Sequence, residues 1–250
     1  MNDSSSMMKT GLATTDFWDS QNSAYKLQVI DDTDPIISFM GMLNFSAINS
    51  CFEVGCFPGG YLAYLGKQGL EVNGIDFSNR VLSELLPFYK NNGFRVGLFL
   101  EGDFFKMDIQ KTFDLVCSFG FIEHFENWKE VIDLHSKLLT SGGYLVITTP
   151  NFRGKWQNLI HKYLDKKNYN RHYIPAMQPT LWKLYLEQNG FTVLKSGFFG
   201  KFDFWVEEEP PLYFKPAIVL LRRLKPLLKK ILSDNNEAYS PYCGIIARKK

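Results

Sequence analysis

Cysteine is scarce: Cys51, Cys56, Cys117 and Cys243 are the four in 250 residues, with no C-x-x-C pair, and each lies in or beside an apolar strand-like run. That spacing argues against zinc and for reduced core residues in a cytosolic protein. No apolar run approaches the ~18 residues of a membrane span, and Met1-Asn2-Asp3-Ser4-Ser5-Ser6 lacks the apolar core of a secretory signal. The expected location is therefore cytoplasmic. Net charge is nearly absent, 28 Lys and Arg against 26 Asp and Glu, too little to announce a nucleic-acid partner. No internal repeat is visible.

Aromatic residues are plentiful, at 16% with 22 Phe. They fit a large apolar pocket or apolar insertions, and equally an ordinary core. At this length one domain with insertions is expected rather than two domains. Residues 1 to about 12 are small and polar, as in a disordered tail. Helical patterns follow over Asp16 to Leu27 and over Pro35 to Phe45, the second with Asp34 as cap and Pro35 in its first turn. Residues 1–47 thus read as an N-terminal helical cap.

From residue 48 strands and helices alternate. Ser50 to Val54 leads to helical Gly60 to Gln68, and Glu71 to Ile75 leads to a helix from Asn79 to Asn91 capped by Ser78. Strands follow at Arg95 to Glu101 and Phe113 to Ser118. A helix from Trp128 to Leu139, the turn Ser141-Gly142-Gly143 and a strand Tyr144 to Thr149 come next. Such alternation predicts an α/β fold, a doubly wound, Rossmann-like parallel sheet with helices on both faces. Two stretches break the rhythm, 151–177 and 201–240, and read as insertions over the ligand edge. Between them lie helical Gln178 to Gln188 and strand-like Phe191 to Phe199; Tyr242 to Arg248 closes the chain as a final strand.

Chemistry concentrates where strands end. Phe52-Glu53-Val54-Gly55-Cys56-Phe57-Pro58-Gly59-Gly60 is a strand running into a glycine-rich turn, and Asp76 tips the next strand. Glycines there let the backbone turn sharply and approach a ligand. Together with Gly102-Asp103-Phe104, Phe113-Asp114-Leu115-Val116-Cys117-Ser118 and Leu138-Leu139-x-x-Gly142-Gly143, these motifs resemble the class I S-adenosylmethionine-dependent methyltransferases. The run Phe121-Ile122-Glu123-His124-Phe125 is similar to the ubiquinone-biosynthesis type and its small-molecule and glycan-modifying relatives. The resemblance spans roughly residues 48 to 200. It implies seven strands, with the last lying antiparallel between earlier ones, and S-adenosyl-L-methionine as cofactor.

By that resemblance Gly55 and Gly59 shape the turn, with Cys56 and Phe57 between them, and Glu53 faces the cofactor's ammonium group. Glu53 reads alternatively as a helix-dipole partner. Asp76 would accept from both ribose hydroxyls or cap the following helix, and Phe77 would pack on the adenine. Asp103 would take the adenine amino group, Phe104 would offer its backbone N–H, and Ser118 and Phe119 would line the methyl-donor side. Phe57 departs from the family, which has glycine there; its ring must turn away from the cofactor or narrow the pocket.

On the acceptor side, His124 is the candidate base with Glu123 beside it, and His172 and Tyr173 are the next candidates for acceptor contact. Each also reads as structural. No metal is expected, because the turn lacks the family's extra acid. Trp156, Trp182 and Trp205 are candidate stacking faces. Residues 215–233 carry six basic residues and no acid around an apolar stripe, a basic amphipathic helix expected to bend at Pro226 and suited to peripheral membrane contact, an acidic partner or ordinary packing. A nicotinamide dehydrogenase would show G-x-G-x-x-G after the first strand, which is absent. The expected activity is O-methylation of a small molecule, glycan or lipid-linked precursor; a non-catalytic scaffold on the same fold is the alternative.

Overall fold

The computed structural model describes residues 26–206 and 212–250. The expected helix from Asp16 falls almost wholly outside them. Asp34 caps α1 (Pro35–Met40), its carboxylate accepting from the Ile36 N–H at 2.7 Å. Then come β1 (Ser50–Val54), α2 (Gly60–Lys67), β2 (Glu71–Asp76), a wide turn Val81–Leu85 running into α3 (Leu86–Asn91), and β3 (Val96–Glu101). Next are β4 (Phe113–Phe119), α4 (Trp128–Lys137), β5 (Leu139–Pro150), α5 (Lys155–Leu164) and α6 (Lys166–Asn170). The chain ends with α7 (Pro179–Gln188), β6 (Phe191–Phe199), α8 (Lys215–Ile231) and β7 (Tyr242–Lys249).

Among the described residues seven strands form one sheet in the order β3-β2-β1-β4-β5-β7-β6. β7 runs antiparallel between β5 and β6, and the other neighbouring pairs are parallel. Central strands are apolar on both faces, as a doubly covered sheet requires. Cys51, Leu115, Cys117 and Val146 pack with α1, α2 and Tyr89 on one side. Phe52, Phe113, Val116 and Leu145 pack with α4 and α7 on the other, the Phe52 and Phe113 rings 4.8 Å apart. The described part of the expected N-terminal cap belongs to the first core, through Ile36, Ile37, Phe39 and Met40. The fully buried Trp182 belongs to the second and presents no stacking face.

Three local expectations change. Ser78 receives only a long bond from the Arg80 N–H, 3.4 Å, and the segment after it winds as a wide turn before α3. The Ser141–Gly143 turn lies inside β5, which starts at Leu139 opposite Phe113 and shifts register before Tyr144. The first insertion is helical: α5 buries Gln157, Ile160, His161 and Leu164, and its apolar residues Trp156, Leu159, Ile160, Tyr163 and Leu164 do recur at helical spacing. α8 includes Pro226 within its length, and no described helix is long and apolar enough to cross a membrane.

The turn after β1 lies directly on β2. A Cβ on Gly74 would sit 2.8 Å from the Cβ of Cys56 and 3.2 Å from the Glu53 carbonyl oxygen. Gly74→Ala is therefore expected to lower unfolding free energy by about 1–3 kcal/mol through overpacking. Denaturant unfolding checks this; an unchanged midpoint would contradict it.

Candidate active site

The C-terminal ends of the parallel strands carry the candidate residues. After β1, Gly55 and Gly59 take φ of +74° and +78°, conformations that suit residues lacking a Cβ. The Gly55 and Cys56 N–H groups donate to the Ile75 carbonyl, and Tyr89 donates its hydroxyl proton to the Gly59 carbonyl at 2.8 Å. The cavity beside this turn has a volume of about 330 Å³. Its walls are Glu53, Gly55, Phe57, Gly59, Tyr61 and Phe119, with Lys26, Gln28 and Ile30 crossing from the N-terminal segment.

Glu53 is 4% exposed, and its Oε2 has no hydrogen-bond partner among the described residues. Burial, reinforced by the charge of Asp76, pushes its carboxyl well above the ordinary carboxylate range, with the Leu62 N–H pulling the other way. A buried carboxylate with one oxygen unpartnered costs free energy that a cation or strong donor in the cavity removes. Phe57 forms part of the wall, buried against the core with the Arg80 guanidinium 4.8 Å from its ring centroid. The bulky ring is thus absorbed by packing, and the cavity persists beside it.

Asp76 ties two loops together. Its Oδ2 accepts from the Phe57 N–H at 3.0 Å and its Oδ1 from the Ser78 N–H at 2.8 Å, so it does hold the start of the segment after β2. Phe77 beside it is half-buried. Asp103 acts as a turn residue, accepting from the Phe105 N–H at 3.0 Å and pairing with Lys106 at 3.3 Å. The Phe104 side chain belongs to the core, edge-on to Phe121 and His135. Asp76, Phe77, Asp103 and Phe104 lie outside the lining of the 330 Å³ cavity.

Beyond β4 the chain gathers its second group. Phe119 faces the cavity with its ring 4.6 Å from Tyr61, and Ser118 is buried with an unpartnered hydroxyl. Glu123 and His124 follow in a tight turn and meet His172 from the first insertion: one ligand atom of each lies within 4.8 Å of the others. His124 Nδ1 faces the Arg171 carbonyl at 2.9 Å and His172 Nδ1 the Asn168 carbonyl at 2.7 Å. Each Nδ1 therefore carries a proton and each Nε2 the basic lone pair. The rings stand 4.8 Å apart.

Burial pushes the Glu123 carboxyl up to about 8 and the His124 imidazole down to about 4; His172 is lowered too, by burial and then by His124. Near neutral pH the group is a protonated acid facing two neutral bases. Two imidazoles and a carboxylate are also the donor types that divalent transition metals take. Tyr173 joins through its backbone, its N–H donating to the Glu123 carbonyl at 2.6 Å.

Sequence reasoning singled out neither Tyr61 nor the N-terminal strap. Tyr61 shares a hydrogen bond with Asp34, and Asp34 lines a second groove of about 660 Å³ with Lys195, Phe199 and Tyr242. Tyr61 immediately follows the glycine turn, a position that could have marked it. The strap, Lys26 to Ile30, carries no such signal. Trp205 packs against His161 and Tyr242, whereas Trp156 is exposed.

The model of the methyltransferase domain family matches residues 27–196, more than half of the chain. A curated relative, the ubiquinone biosynthesis O-methyltransferase of Rickettsia conorii (strain ATCC VR-613 / Malish 7), is 29% identical over 99 residues. That alignment covers 40% of this chain and about a third, 34%, of the relative. Among solved structures, a putative methyltransferase from Bacillus halodurans C-125 has a TM-score of 0.59 at 19% identity, covering 86% of this chain and 96% of its own. A SAM-dependent methyltransferase from Archaeoglobus fulgidus has a TM-score of 0.53 at 23% identity, covering 82% and 88%. At these identities the likeness is one of fold. With the glycine turn, the acid-tipped second strand and the antiparallel seventh strand in place, the chain belongs to the methyltransferase domain family.

Proposed function

We propose that this protein transfers a methyl group from S-adenosyl-L-methionine to an oxygen of a small-molecule, glycan or lipid-linked acceptor. The observation that carries the reading is Glu53, a buried carboxylate with an unpartnered oxygen on a cavity walled by the glycine turn. An ammonium group is the partner such a carboxylate lacks. Glu53 would hold that end of the cofactor, Asp76 would accept from the ribose hydroxyls, and Phe77 and Asp103 would lie along the adenine. When bound, the cofactor supplies an electrophilic methyl group on a cationic sulfur.

The remaining work falls to the chain's own residues. His124 Nε2, with Nδ1 anchored on the Arg171 carbonyl, takes the proton from the acceptor hydroxyl. Half-buried His172 is the outward member of the group and meets the acceptor first. Burial favours neutral species, and an oxyanion and a sulfonium become neutral together as the methyl moves, so a dry site favours the transfer. A second reading rests on the 660 Å³ groove, where Asp34 would itself meet an acceptor lying beside β6 and β7.

Two outcomes check these roles. In calorimetric titration with S-adenosylhomocysteine, Asp76→Ala is expected to weaken binding by about 1.5–3 kcal/mol through loss of charged hydrogen bonds; equal affinity would remove Asp76 from the site. Once an acceptor is found, His124→Ala is expected to lower turnover about 10²–10⁴-fold with cofactor affinity retained. Retained turnover in that variant together with loss in Asp34→Asn would move the acceptor to the groove.

A further inference from the structure

The two insertion helices each carry two apolar faces, and among the described residues one of each is used internally. Ile160 and Leu164 of α5 meet Ile218 of α8 in a small cluster with Phe202 and Phe204, and Leu221 and Leu228 pack against it. On its outer side α5 shows Trp156, Leu159 and Tyr163, each more than half exposed. On α8, Leu220, Leu224, Leu227 and Ile231 recur at spacings of four, three and four and are 39–63% exposed. Leu212 and Tyr213, just before α8, are 78% and 75% exposed. A helix packed on one core needs one apolar stripe; a second one in water needs another partner.

Charge identifies that partner. Neither α5 nor α8 contains an acid. Lys225 and Lys229 turn inward to Asp203, whereas Arg222, Arg223 and Lys230 are exposed, and helical spacing puts Arg223 and Lys230 beside the outer leucines. Lys155 and Lys162 do the same on α5, with Lys162 near the Tyr163 ring. Apolar residues interleaved with cations, with Trp and Tyr among them, suit the headgroup level of an anionic bilayer, where apolar side chains enter and the cations meet phosphate.

We propose that the outer faces of α5 and α8 form a peripheral docking surface for an anionic lipid membrane. The α5 half of the surface lies in the insertion that leads into His172, and α8 packs on that helix through Ile218. Docking would therefore set the acceptor-side group next to lipid, which favours a lipid-linked acceptor within the function proposed above. The docking itself does not depend on methyl transfer.

The test is co-sedimentation of the full chain with vesicles of phosphatidylcholine alone or mixed with phosphatidylserine. Binding to the mixed vesicles at low ionic strength, fading as salt rises, is expected. Each cation near such a surface contributes roughly fivefold, so the double variant Arg223→Glu, Lys230→Glu is expected to partition at least about 25-fold less. Leu220→Ser, Leu224→Ser, Leu227→Ser, altered only at exposed positions, is expected to lose binding as well. Absence of wild-type binding, or equal binding by the charge-reversed variant, would overturn the proposal. So would a concentration-dependent dimer in sedimentation velocity that the serine variant abolishes, since a second copy would then cover the face. Methyl transfer with a soluble acceptor is a separate readout and can survive either result.

Discussion

The cofactor edge of this fold is organised by one carboxylate. Asp76 receives the Phe57 N–H from the turn after β1 and the Ser78 N–H from the segment after β2. Two loops on adjacent parallel strands, each with orphan donors, are thereby fixed relative to each other. The Ile75 carbonyl, one residue earlier, takes the Gly55 and Cys56 N–H groups and completes the tether. With the turn held, Glu53 is placed in the cavity wall and cannot swing to solvent. Its unpartnered oxygen is then a standing cost of the free protein, which the proposed ligand removes.

The second polar group is built on the opposite principle. Glu123, His124 and His172 are each moved by burial toward neutrality. Glu53 needs a charge from outside, whereas this group is already uncharged near neutral pH and presents both a proton and places to put one. A site with a paired-charge pocket at one end and a neutral acid–base group at the other suits the transfer of a group from a cation to a hydroxyl. β4 links them, because Phe119 lies in the cavity wall and Glu123 follows it in the next turn.

Much of the fold was legible because local signals and tertiary packing agree. The Asp34-Pro35 helix start, the strand-turn-helix around Gly55 and the apolar double-faced strands all appear where periodicity places them. Legibility failed where polar residues are buried or where distant segments meet. Gln157 and His161 occupy inward helix positions, so the buried face of α5 mixes polar with apolar residues, and its outer apolar residues point away from the core. His172 reaches Glu123 and His124 only through the path of the insertion, which no local spacing encodes. Asp103 shows a subtler limit: its motif is present, yet in the structure its carboxylate serves its own turn and Lys106. For α8 the cations and leucines were plain, but which stripe faces the core required the contacts of Ile218, Leu221 and Leu228.

Glu53 meeting a cation in the glycine-turn cavity is the central requirement of the proposed site. Burial holds its carboxyl well above the usual range in the free protein, and a paired ammonium would bring it down, so binding should expel a proton. Calorimetric titration with S-adenosylhomocysteine in buffers of differing ionisation heat measures this directly, at about pH 6 where the ligand's α-amino group is fully charged. The account predicts net proton release, up to one per complex, that disappears in Glu53→Gln. Binding without proton release, or the same release from the Gln variant, would contradict it.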